Sequence, residues 1–467
     1  MKMWSGRFRQ PLNPDFERWQ RSFPFDQRLL SEELAASRAH ARALSGIGVL
    51  SAEELKKIEG GLKAIAQRAA TRPDHLNDED AEDVHHFVEK ELVALIGETG
   101  YKLHSGRSRN EQIATDLRLH VRSNIDHLHL LLTGLLEALV EKAEQAGDAV
   151  MPAYTHLQKA EPVLVAHWLL AYAEMFSRDI GRLSDGRARM NLCPLGSGAL
   201  AGATLPLDRK AMAQELGFAG PTANSLDATS DRDFAVEFVQ TLSLLAVHMS
   251  RWAEEMIIFS TQEFAFVELP EAYSTGSSAM PQKKNPDAME LVRGKAARVI
   301  SAANTLLITL KGTPLAYNKD FQETQQPIFG AAEQSLEMVK TMAGFVKTME
   351  LDLAEMQAAA ETGYMNAPAA ASYLVKKGVP FRRAHEHIGN AVRLGLDKGC
   401  ELQDLPLADL QKLAPEFDQG FYEALRLRAV LDCHDVIGGT AVKQVQASLA
   451  QMKDRISVLK GGLHAYA

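Results

Sequence analysis

The stretch richest in chemically active groups runs from Ser274 to Asp287 and reads STGSSAMPQKKNPD. Glycine and proline interrupt any regular helix, so this stretch is predicted to be a loop. Asn285 can cap the helix that follows, with Pro286 at its first position. Lys283 and Lys284 would then lie beside the positive end of a helix dipole. The loop favours an anion site where a serine alkoxide could be stabilised, although an ordinary solvated basic turn is the alternative.

Two further stretches contain groups suited to anion binding or proton transfer. SGRSRNEQ, at residues 105–112, contains two arginines and the amide donor Asn110. An arginine can donate two parallel hydrogen bonds to one carboxylate. YTHLQ, at residues 154–158, contains His156, a side chain that titrates near neutral pH. The alternatives are a capped helix start with exposed arginines and a histidine with a purely structural role.

Two other stretches contain residue patterns that could indicate a metal site or a dinucleotide site. DEDAEDVHH, at residues 78–86, is rich in possible metal ligands, but its spacing matches no established ligand set, and a solvated acidic helix start is preferred. GSGALAG, at residues 196–202, resembles a dinucleotide fingerprint, yet no βαβ unit is predicted around it. The sequence therefore predicts neither a metal nor a cofactor.

The elements that must position these groups are predicted to be long helices. Apolar residues recur in steps of three and four along Leu117–Leu139, Phe234–Phe259 and Met289–Leu310. Each segment is longer than the average globular helix, and long stripes of this kind favour a helix bundle. Strand signals are weak and no repeat is seen, so the predicted fold class is all-α.

Length and composition limit the possibilities further. A chain of 467 residues is too long to fold around one hydrophobic core. Three regions are therefore predicted, at residues 1–111, 112–361 and 362–467. A net charge of −9 argues against a nucleic-acid or membrane-surface binder. The three cysteines, the lack of an apolar leader and the interrupted apolar runs favour a soluble cytoplasmic protein.

GSSAMPQKKNPD, at residues 276–287, closely resembles the signature of the fumarase/aspartase superfamily. Fumarases and aspartases have no paired lysines after Pro-Gln, so the resemblance is to one branch, the argininosuccinate lyase family. Other motifs resemble that family in its own order along nearly the whole chain: WSGRF (residues 4–8), SGRSRNEQ, YTHLQ, NSLDATSDRDF (224–234), LAYNKDFQE (315–323) and GGTA (438–441).

This resemblance implies a three-domain all-α fold with a long central helix bundle. It also implies a homotetramer in which each active site is built from three chains. The loop from Ser274 to Asp287 would be mobile and would close over a small-molecule substrate, which excludes water from the reaction.

The implied reaction is β-elimination of argininosuccinate to arginine and fumarate. A proton leaves the carbon beside a carboxylate, and the resulting charge needs fixed positive groups. The resemblance gives that role to Lys283 and Asn285 and makes Ser277 the general base. His156 would be the partner acid or proton shuttle, with its pKa set by Glu290. The acid and base labels of Ser277 and His156 stay open.

Substrate-binding positions transfer from the family motifs by resemblance. They are Ser22, Asp83, Arg109, Asn110, Thr155, Asn285, Tyr317, Gln322 and Gln325. Gln325 is a departure, since relatives usually have lysine there, and one carboxylate contact is expected to be weaker or supplied elsewhere. Pro368 and its two following alanines replace the usual acidic and threonine positions, which puts helix capping there in doubt.

The sequence leaves two alternatives to argininosuccinate cleavage. The first is another lyase of the superfamily acting on adenylosuccinate or a similar fumarate adduct, which the paired lysines and YNKDFQE argue against. The second is a structural protein on the same scaffold that has lost activity. Intact Ser277, His156, Lys283 and Glu290 argue against the second, whereas Gln325 favours it.

Overall fold

The computed structural model describes residues 9–463, so the WSGRF motif at residues 4–8 lies outside the described residues. Most of the described chain is helical, and the all-α prediction is confirmed. The first part of the chain contains α1 (Pro14–Trp19), α2 (Phe23–Asp26), α3 (Leu30–Gly46), α4 (Ala52–Thr71), α5 (Val84–Ile96) and α6 (Arg109–Ala146).

The middle of the chain contains the remaining long helices and short strands. In order, these are β1 (Val150–Thr155), β2 (Gln158–Leu164), α7 (Val165–Met190), β3 (Leu192–Cys193), α8 (Arg209–Glu215), β4 (Gly220–Pro221), α9 (Ser225–Ser230) and α10 (Asp233–Phe259). They are followed by β5 (Val267–Glu268), β6 (Thr275–Gly276), β7 (Lys284–Asn285), α11 (Asp287–Leu310), α12 (Gln325–Thr348) and β8 (Glu350–Leu351).

Shorter helices make up the last part of the chain. They are α13 (Leu353–Ala360), α14 (Ala367–Lys376), α15 (Phe381–Lys398), α16 (Leu407–Leu413), α17 (Gly420–Ala424), α18 (Leu427–Asp432) and α19 (Val442–Leu463). Short 3₁₀ helices cover Gln27–Leu29, Pro73–Leu76, Gly97–His104, Glu271–Tyr273, Lys319–Thr324 and Leu402–Asp404.

The three predicted helical stripes lie in α6, α10 and α11, and the helix predictions are confirmed. Apolar side chains at helical spacing are buried, as in α10, where Leu242, Met249 and Trp252 are fully inaccessible to solvent. Burying such side chains stabilises the fold by about 1.5–3 kcal/mol each. Of the described helices, none is both long enough and apolar enough to cross a membrane.

Strands form four two-stranded ladders in the described chain. The antiparallel hairpin β1–β2 pairs Val150 with Leu164 and Thr155 with Gln158, with a register shift at Ala153 and Tyr154. The other ladders are only two residues long: β3–β4 is parallel, whereas β5–β8 and β6–β7 are antiparallel. Their role is to fix loops locally, since so few backbone hydrogen bonds cannot support a sheet.

The chain divides into two compact units. The first comprises the described residues of Met1–His127, Arg182–Ser243 and Arg298–Gln334; the second comprises those of Leu128–Gly181, Leu244–Ala297 and Ser335–Ala467. In the first unit, Leu195 and Phe218 belong to a buried cluster, and in the second unit Leu374, Ile388 and Phe421 belong to another. The three regions at residues 1–111, 112–361 and 362–467 stay a prediction.

Gly439 provides a test of a tight backbone approach in the GGTA motif. A Cβ there would lie 2.1 Å from the carbonyl oxygen of His434 and 3.0 Å from that of Val436, so backbone must move. We expect Gly439→Ala to lower stability by about 1–3 kcal/mol. Gly389→Ala, in α15 with open space around it, should instead stabilise by about 0.5–1 kcal/mol. Thermal unfolding of both variants measures the contrast, and equal shifts would contradict the close approach.

Candidate active site

His156 lies in the two-residue turn between β1 and β2. His156 has φ 55° and Leu157 has φ 57°, so both occupy the left-handed region. Two-residue hairpins of type I′ require positive φ at both positions, and Asn-Gly is the usual choice. Side chains with a Cβ cost roughly 1–2 kcal/mol each in this region. Such strain is typical of functional sites, and here it places the imidazole at an exposed hairpin tip.

The hairpin is attached to the last part of the chain at its base and along β2. Leu164 donates its backbone N–H to Thr440 Oγ1 at 2.8 Å. Lys159 Nζ donates to the carbonyl of Ala359 at 2.8 Å and to Thr362 Oγ1 at 3.1 Å. Thr440 belongs to the GGTA motif and is buried, which gives that motif a physical role in holding the hairpin.

The loop from Ser274 to Asp287 is non-helical, as predicted, and its two ends are paired. Thr275 pairs with Asn285 and Gly276 with Lys284 in the β6–β7 ladder. The segment from Ser277 to Lys283 therefore projects as a closed loop from a short antiparallel neck.

Within this loop, the hydroxyl oxygen of Ser277 accepts two backbone N–H groups. Ala279 N lies 3.3 Å away and Met280 N lies 3.1 Å away. Serine often closes local turns in this way. The same two donors would also stabilise an ionised hydroxyl, because hydrogen bonds to the charged form of a group favour its ionisation. Ser277 is half-buried, so its oxygen is partly shielded from water.

The predicted cap of the following helix is wrong. Asn285 Oδ1 accepts from Lys283 Nζ at 2.6 Å, and Asn285 Nδ2 donates to Thr275 Oγ1 at 3.4 Å. The β6–β7 ladder holds Asn285 in extended backbone, which turns its side chain to the neck of the loop. The helix α11 begins at Asp287, and the Pro286 carbonyl accepts its first backbone hydrogen bonds.

The two lysines of the loop have different partners. Lys283 pairs with Asn285, whereas Lys284 Nζ lies 2.5 Å from Glu268 Oε1. Lys284 is therefore neutralised locally, and Lys283 remains as a cation with a neutral partner. An open cleft of about 770 Å³ is lined by Lys283, Asn285 and Glu290 together with residues of α10 and the loop after it. Three predicted site residues thus line one cleft of the second unit.

Glu290 lies in the first turn of α11 and is exposed. Its predicted pairing with His156 stays a prediction. Thr155, the predicted binding residue beside His156, is exposed at the end of β1 and pairs with Gln158 across the turn.

A separate group of predicted residues lies in the first unit, around the start of α6. Arg109 Nη1 donates to Asp83 Oδ2 at 2.8 Å, and Asp83 also caps α5 by accepting the backbone N–H of His86 at 2.7 Å. Asn110 Nδ2 donates to the carbonyl of Ala199 at 3.3 Å. The helix α6 begins at Arg109, as the alternative of a capped helix start requires, but this arginine is half-buried and paired, whereas that alternative expected exposed arginines. The role of Arg109 in binding anions stays a prediction.

Ser22 is almost fully buried in the same unit, beside the loop that contains Asp83. Its backbone N–H donates to the carbonyl of Glu82 at 3.0 Å. Its side chain hydrogen-bonds to Asp26, whose Oδ1 accepts the backbone N–H of Val84 at 3.0 Å. Burial, with repulsion from Asp83, raises the pKa of Asp26 to about 7. The carboxyl group of Asp26 therefore titrates in the physiological range.

Tyr317 follows a strained residue of the first unit, and Gln322 lies in the short 3₁₀ helix Lys319–Thr324. Ala316 has φ 65°, a left-handed value for a residue with a Cβ. Gln322 is buried, and its Nε2 donates to the carbonyl of Gln20 at 3.1 Å. Burial raises the pKa of Tyr317, and the positive charge of Arg232 partly opposes that rise. Tyr317 thus remains a neutral phenol donor at physiological pH.

Gln325 is the first residue of α12 and is buried. Its Oε1 atom has no hydrogen-bond partner. Leaving a buried acceptor of this kind without a hydrogen bond lowers stability by about 1–3 kcal/mol. The described residues supply no donor to the Gln325 side-chain oxygen. The expected loss of one carboxylate contact at this position stays a prediction.

Comparison with known proteins gives the relationship directly. A family model described as "Lyase" matches residues 6–301, and one described as "Argininosuccinate lyase C-terminal" matches residues 364–432. The chain is 59% identical to an argininosuccinate lyase of Koribacter versatilis over the full length of both. It is 46% identical to that of Heliobacterium mobile, with 98% of this chain and 99% of the relative covered.

The chain belongs to the argininosuccinate lyase family. The resemblance drawn from its motifs is confirmed, and the chain is a lyase. Among solved structures, an EDDS lyase variant with bound fumarate matches with TM-score 0.85 and 25% identity, covering 98% of this chain and 93% of that one. A class II fumarase of Schistosoma mansoni matches with TM-score 0.71 and 14% identity, covering 85% and 90%. The last match shows a shared fold only.

The glycine-rich segment at residues 196–202 of this lyase lies beside Arg109. Its glycines resemble a dinucleotide fingerprint, but the sequence predicts no dinucleotide site there. A cleft of about 650 Å³ in the first unit is lined by Arg109 and by residues 198–204. Gly196, Gly198 and Gly202 all have positive φ, which explains the glycines. Sequence reasoning missed the segment because glycine spacing alone does not show which side chain a loop will face.

A buried carboxylate on α3, Glu33, was also missed. It accepts from His85 Nδ1 at 2.7 Å, from Ser37 Oγ at 2.6 Å and from Gln112 Nε2 at 3.1 Å. His85 lies two residues after Asp83, and Gln112 lies three residues after Arg109. Glu33 thus ties together the two segments whose side chains form the Asp83–Arg109 pair. A glutamate in an amphipathic helix gives no sequence signal for such a role.

Glu33, His85 and Asp116 also bring ligand-type atoms within 4.8 Å of one another. Proton sharing accounts for the cluster. Burial alone would raise the pKa of Glu33, but His85 and Arg107 lower it overall. Burial and the charge of Glu33 raise the pKa of Asp116 well above its ordinary value. The opposite directions of these two pKa shifts favour one ionised and one protonated carboxyl group beside His85.

Asp26 gives the site a pH-dependent stability that can be measured. Its pKa is about 7 when folded, so the folded state holds a proton that the unfolded state loses above about pH 4. Stability from this group is therefore full in acid and is lost as the pH rises through 7. We expect Asp26→Asn, which keeps an acceptor for Val84, to unfold at a higher temperature than wild type at pH 8.

The advantage of Asp26→Asn should shrink towards about pH 4, where wild-type Asp26 is protonated in both states. Asp80→Asn, the same change at an exposed carboxylate, is the matched control and should show no such trend. A melting-temperature difference between Asp26→Asn and wild type that stays constant across this range would contradict the raised pKa.

Proposed function

We propose that this chain splits argininosuccinate into arginine and fumarate by β-elimination, with Ser277 and His156 transferring the protons. The observation that supports this most is the pair of backbone N–H groups on Ser277 Oγ, in a loop whose neck contains Lys283 and Asn285. Serine is a useful base only when its alkoxide is stabilised, and two fixed amide donors do this without reorganisation.

The role of the cation follows from the electron flow. The proton is removed from a carbon beside a carboxylate, and the electron pair moves onto that carboxylate before the carbon–nitrogen bond breaks. Lys283 and Asn285 supply a cation and an amide donor to the charge that develops there. The arrangement suits this role because the hydrogen-bond partner of Lys283 is neutral, so its charge is not cancelled.

His156 supplies the second proton transfer. The guanidino group takes up a proton as it leaves, and an imidazole can both give a proton and regain one. The strained hairpin turn fixes the backbone at His156, and Glu290 is proposed to orient the ring and to set its pKa.

Substrate binding is proposed to use two groups of polar side chains. Ser22, Tyr317, Gln322 and Gln325 in the first unit would offer polar groups to the substrate, as would Asn110. Arg109 and Asp83, paired at 2.8 Å, would organise that set. Thr155 and Asn285 in the second unit would add hydroxyl and amide contacts. Carboxylate and guanidinium groups are well matched by such fixed polar side chains.

The proposed assembly is a homotetramer in which each active site takes residues from three chains. Large apolar side chains on long helices remain exposed in the single chain, including Leu130 on α6 and Leu291, Leu307 and Ile308 on α11. Exposed apolar stripes on long helices favour association with further helices. A cytoplasmic location is part of the proposal, and three cysteines without a disulfide fit a reducing compartment.

The assay for the proposed function follows fumarate by its ultraviolet absorbance while argininosuccinate is supplied to the purified protein. Ser277→Ala should lower kcat by roughly a thousandfold or more, because the base is removed. Ser278→Ala, its exposed neighbour in the same loop, is the matched control and should keep most of the activity.

Three outcomes would count against this proposal. Unchanged turnover in Ser277→Ala would remove Ser277 from the catalytic role. Fumarate released from adenylosuccinate but not from argininosuccinate would favour the other lyase branch. Absence of fumarate from either substrate at high protein concentration would favour an inactive structural protein.

The tetramer is tested by placing a charge on the central helix. Ile308 is 71% exposed on α11, and we expect Ile308→Asp to yield smaller species because a carboxylate would be desolvated in the interface. Ala70→Asp, at an exposed small residue of α4, is the control and should leave the mass unchanged. Light scattering after size exclusion measures the mass; a four-chain mass for Ile308→Asp, or a one-chain mass for wild type, would contradict the proposal.

A further inference from the structure

The side chain of Glu111, in the first turn of α6, is hydrogen-bonded to the backbone of two distant segments. Glu111 is fully inaccessible to solvent. Its Oε1 accepts the backbone N–H of Ser108 at 3.1 Å, and its Oε2 accepts that of Gly198 at 2.9 Å. Gly198 belongs to the glycine-rich segment and lies 87 residues further along the chain. One carboxylate therefore ties the start of α6 to the glycine-rich segment.

The glycine-rich segment is braced by its own contacts. Gly198 has φ 60°, and a Cβ there would lie 2.8 Å from the carbonyl oxygen of Gly202. The N–H of Gly202 donates to the carbonyl of Ser197 at 2.9 Å, which closes the segment into a turn. Arg209 holds its base, donating to the carbonyl of Leu195 at 2.9 Å and to Ser197 Oγ at 3.1 Å. Because the segment is braced in this way, its contact with Glu111 helps to fix the position of the whole segment against α6.

Two proposed substrate-binding residues, Arg109 and Asn110, directly precede Glu111. Asn110 Nδ2 donates to the carbonyl of Ala199, at 3.3 Å, and Ala199 follows the glycine whose N–H Glu111 binds. The orientation of the Asn110 side chain therefore depends on where the glycine-rich segment lies. This segment and the start of α6 also line the same cleft of about 650 Å³. A shift of the segment would change both the orientation of Asn110 and the wall of this cleft.

The two contacts require a carboxylate at this position. Two N–H donors meet two oxygens, whereas an amide would offer one oxygen and turn its NH₂ group towards an N–H. An anion in the first turn also interacts favourably with the dipole of α6. Burial raises the pKa of Glu111, and the N–H groups of Gly198 and Ser108 oppose that rise. The same contacts that join the two segments thus stabilise the ionised form of Glu111.

We propose that Glu111 is a positioning residue for substrate binding, which acts by fixing the glycine-rich segment against the start of α6. Its effect reaches the substrate through Asn110 and Arg109. Ser277 and His156, which are proposed to transfer the protons, lie in other segments of the chain. We therefore expect Glu111 to control KM more than kcat. Only the choice of argininosuccinate as the substrate rests on the proposed function.

The kinetic test is Glu111→Gln, which has nearly the same shape but breaks one of the two contacts. With argininosuccinate as the substrate, we expect KM to rise at least about tenfold and kcat to stay within about threefold of wild type. Glu111→Asp keeps the charge and two acceptor oxygens on a shorter side chain, so its KM should lie between those of wild type and Glu111→Gln. A wild-type KM in either variant would overturn the proposal.

Glu401→Gln is the matched control, because Glu401 also accepts two backbone N–H groups, those of Gly363 and Tyr364, each at 3.0 Å. None of these three residues is assigned to the candidate active site. Glu401→Gln should lower the melting temperature, as Glu111→Gln does, but leave KM unchanged. Equal rises of KM in the two variants would indicate a general loss of stability and would contradict the positioning role.

Hydrogen–deuterium exchange measures the link between the two segments without catalysis. Peptides that cover residues 196–204 should exchange faster in Glu111→Gln than in wild type, whereas Glu401→Gln should leave their exchange unchanged. Unchanged exchange of these peptides in Glu111→Gln would also overturn the proposal. Absence of fumarate with the wild-type protein would instead count against the proposed function, and the exchange rates would still decide whether Glu111 fixes the glycine-rich segment.

Discussion

The contact on which the proposed chemistry depends most is the approach of two backbone N–H groups to the hydroxyl oxygen of Ser277. A serine hydroxyl is a poor base in water, and only a surplus of fixed donors makes its ionised form accessible. Those donors come from Ala279 and Met280, three residues or fewer along the same loop. The loop keeps this shape because β6 and β7 close its neck, and α11 anchors the end of it.

At each group of the candidate site, a rigid element holds a side chain that lies in a loop or at the end of that element. His156 is held at a strained turn by a hairpin whose base is fixed to Thr440. Arg109 is the first residue of a long helix and pairs with Asp83, the cap of another helix. In each case a long or well-capped element provides rigidity, and the functional side chain lies where that element ends. Placement at ends is useful because backbone groups and side chains there are free to face a ligand.

Two buried carboxyl groups of the first unit, Glu33 and Asp26, have different charge states for a physical reason. Glu33 is surrounded by His85, Ser37 and Gln112, so the cost of its desolvation is offset by several hydrogen bonds. Asp26 is buried beside the charge of Asp83, and the outcome is a raised pKa in place of a stable charge. The contrast shows how one unit contains both a fixed anion and a titrating acid: both carboxyl groups are buried, but His85 and Arg107 stabilise the charge of Glu33, whereas Asp83 opposes that of Asp26.

The sequence by itself determined the fold class, the three long helical stripes, the non-helical loop with Ser277 and Lys283, and the family. Helical periodicity and glycine or proline in a loop are local properties, so they can be read without coordinates. Only the tertiary structure decided that Asn285 faces Lys283 instead of capping α11, that Glu33 joins two distant segments, and that a glycine-rich stretch lies beside Arg109. Those facts depend on pairing between residues far apart in the chain, such as Thr275 with Asn285, and local sequence preference contains no information on such partners.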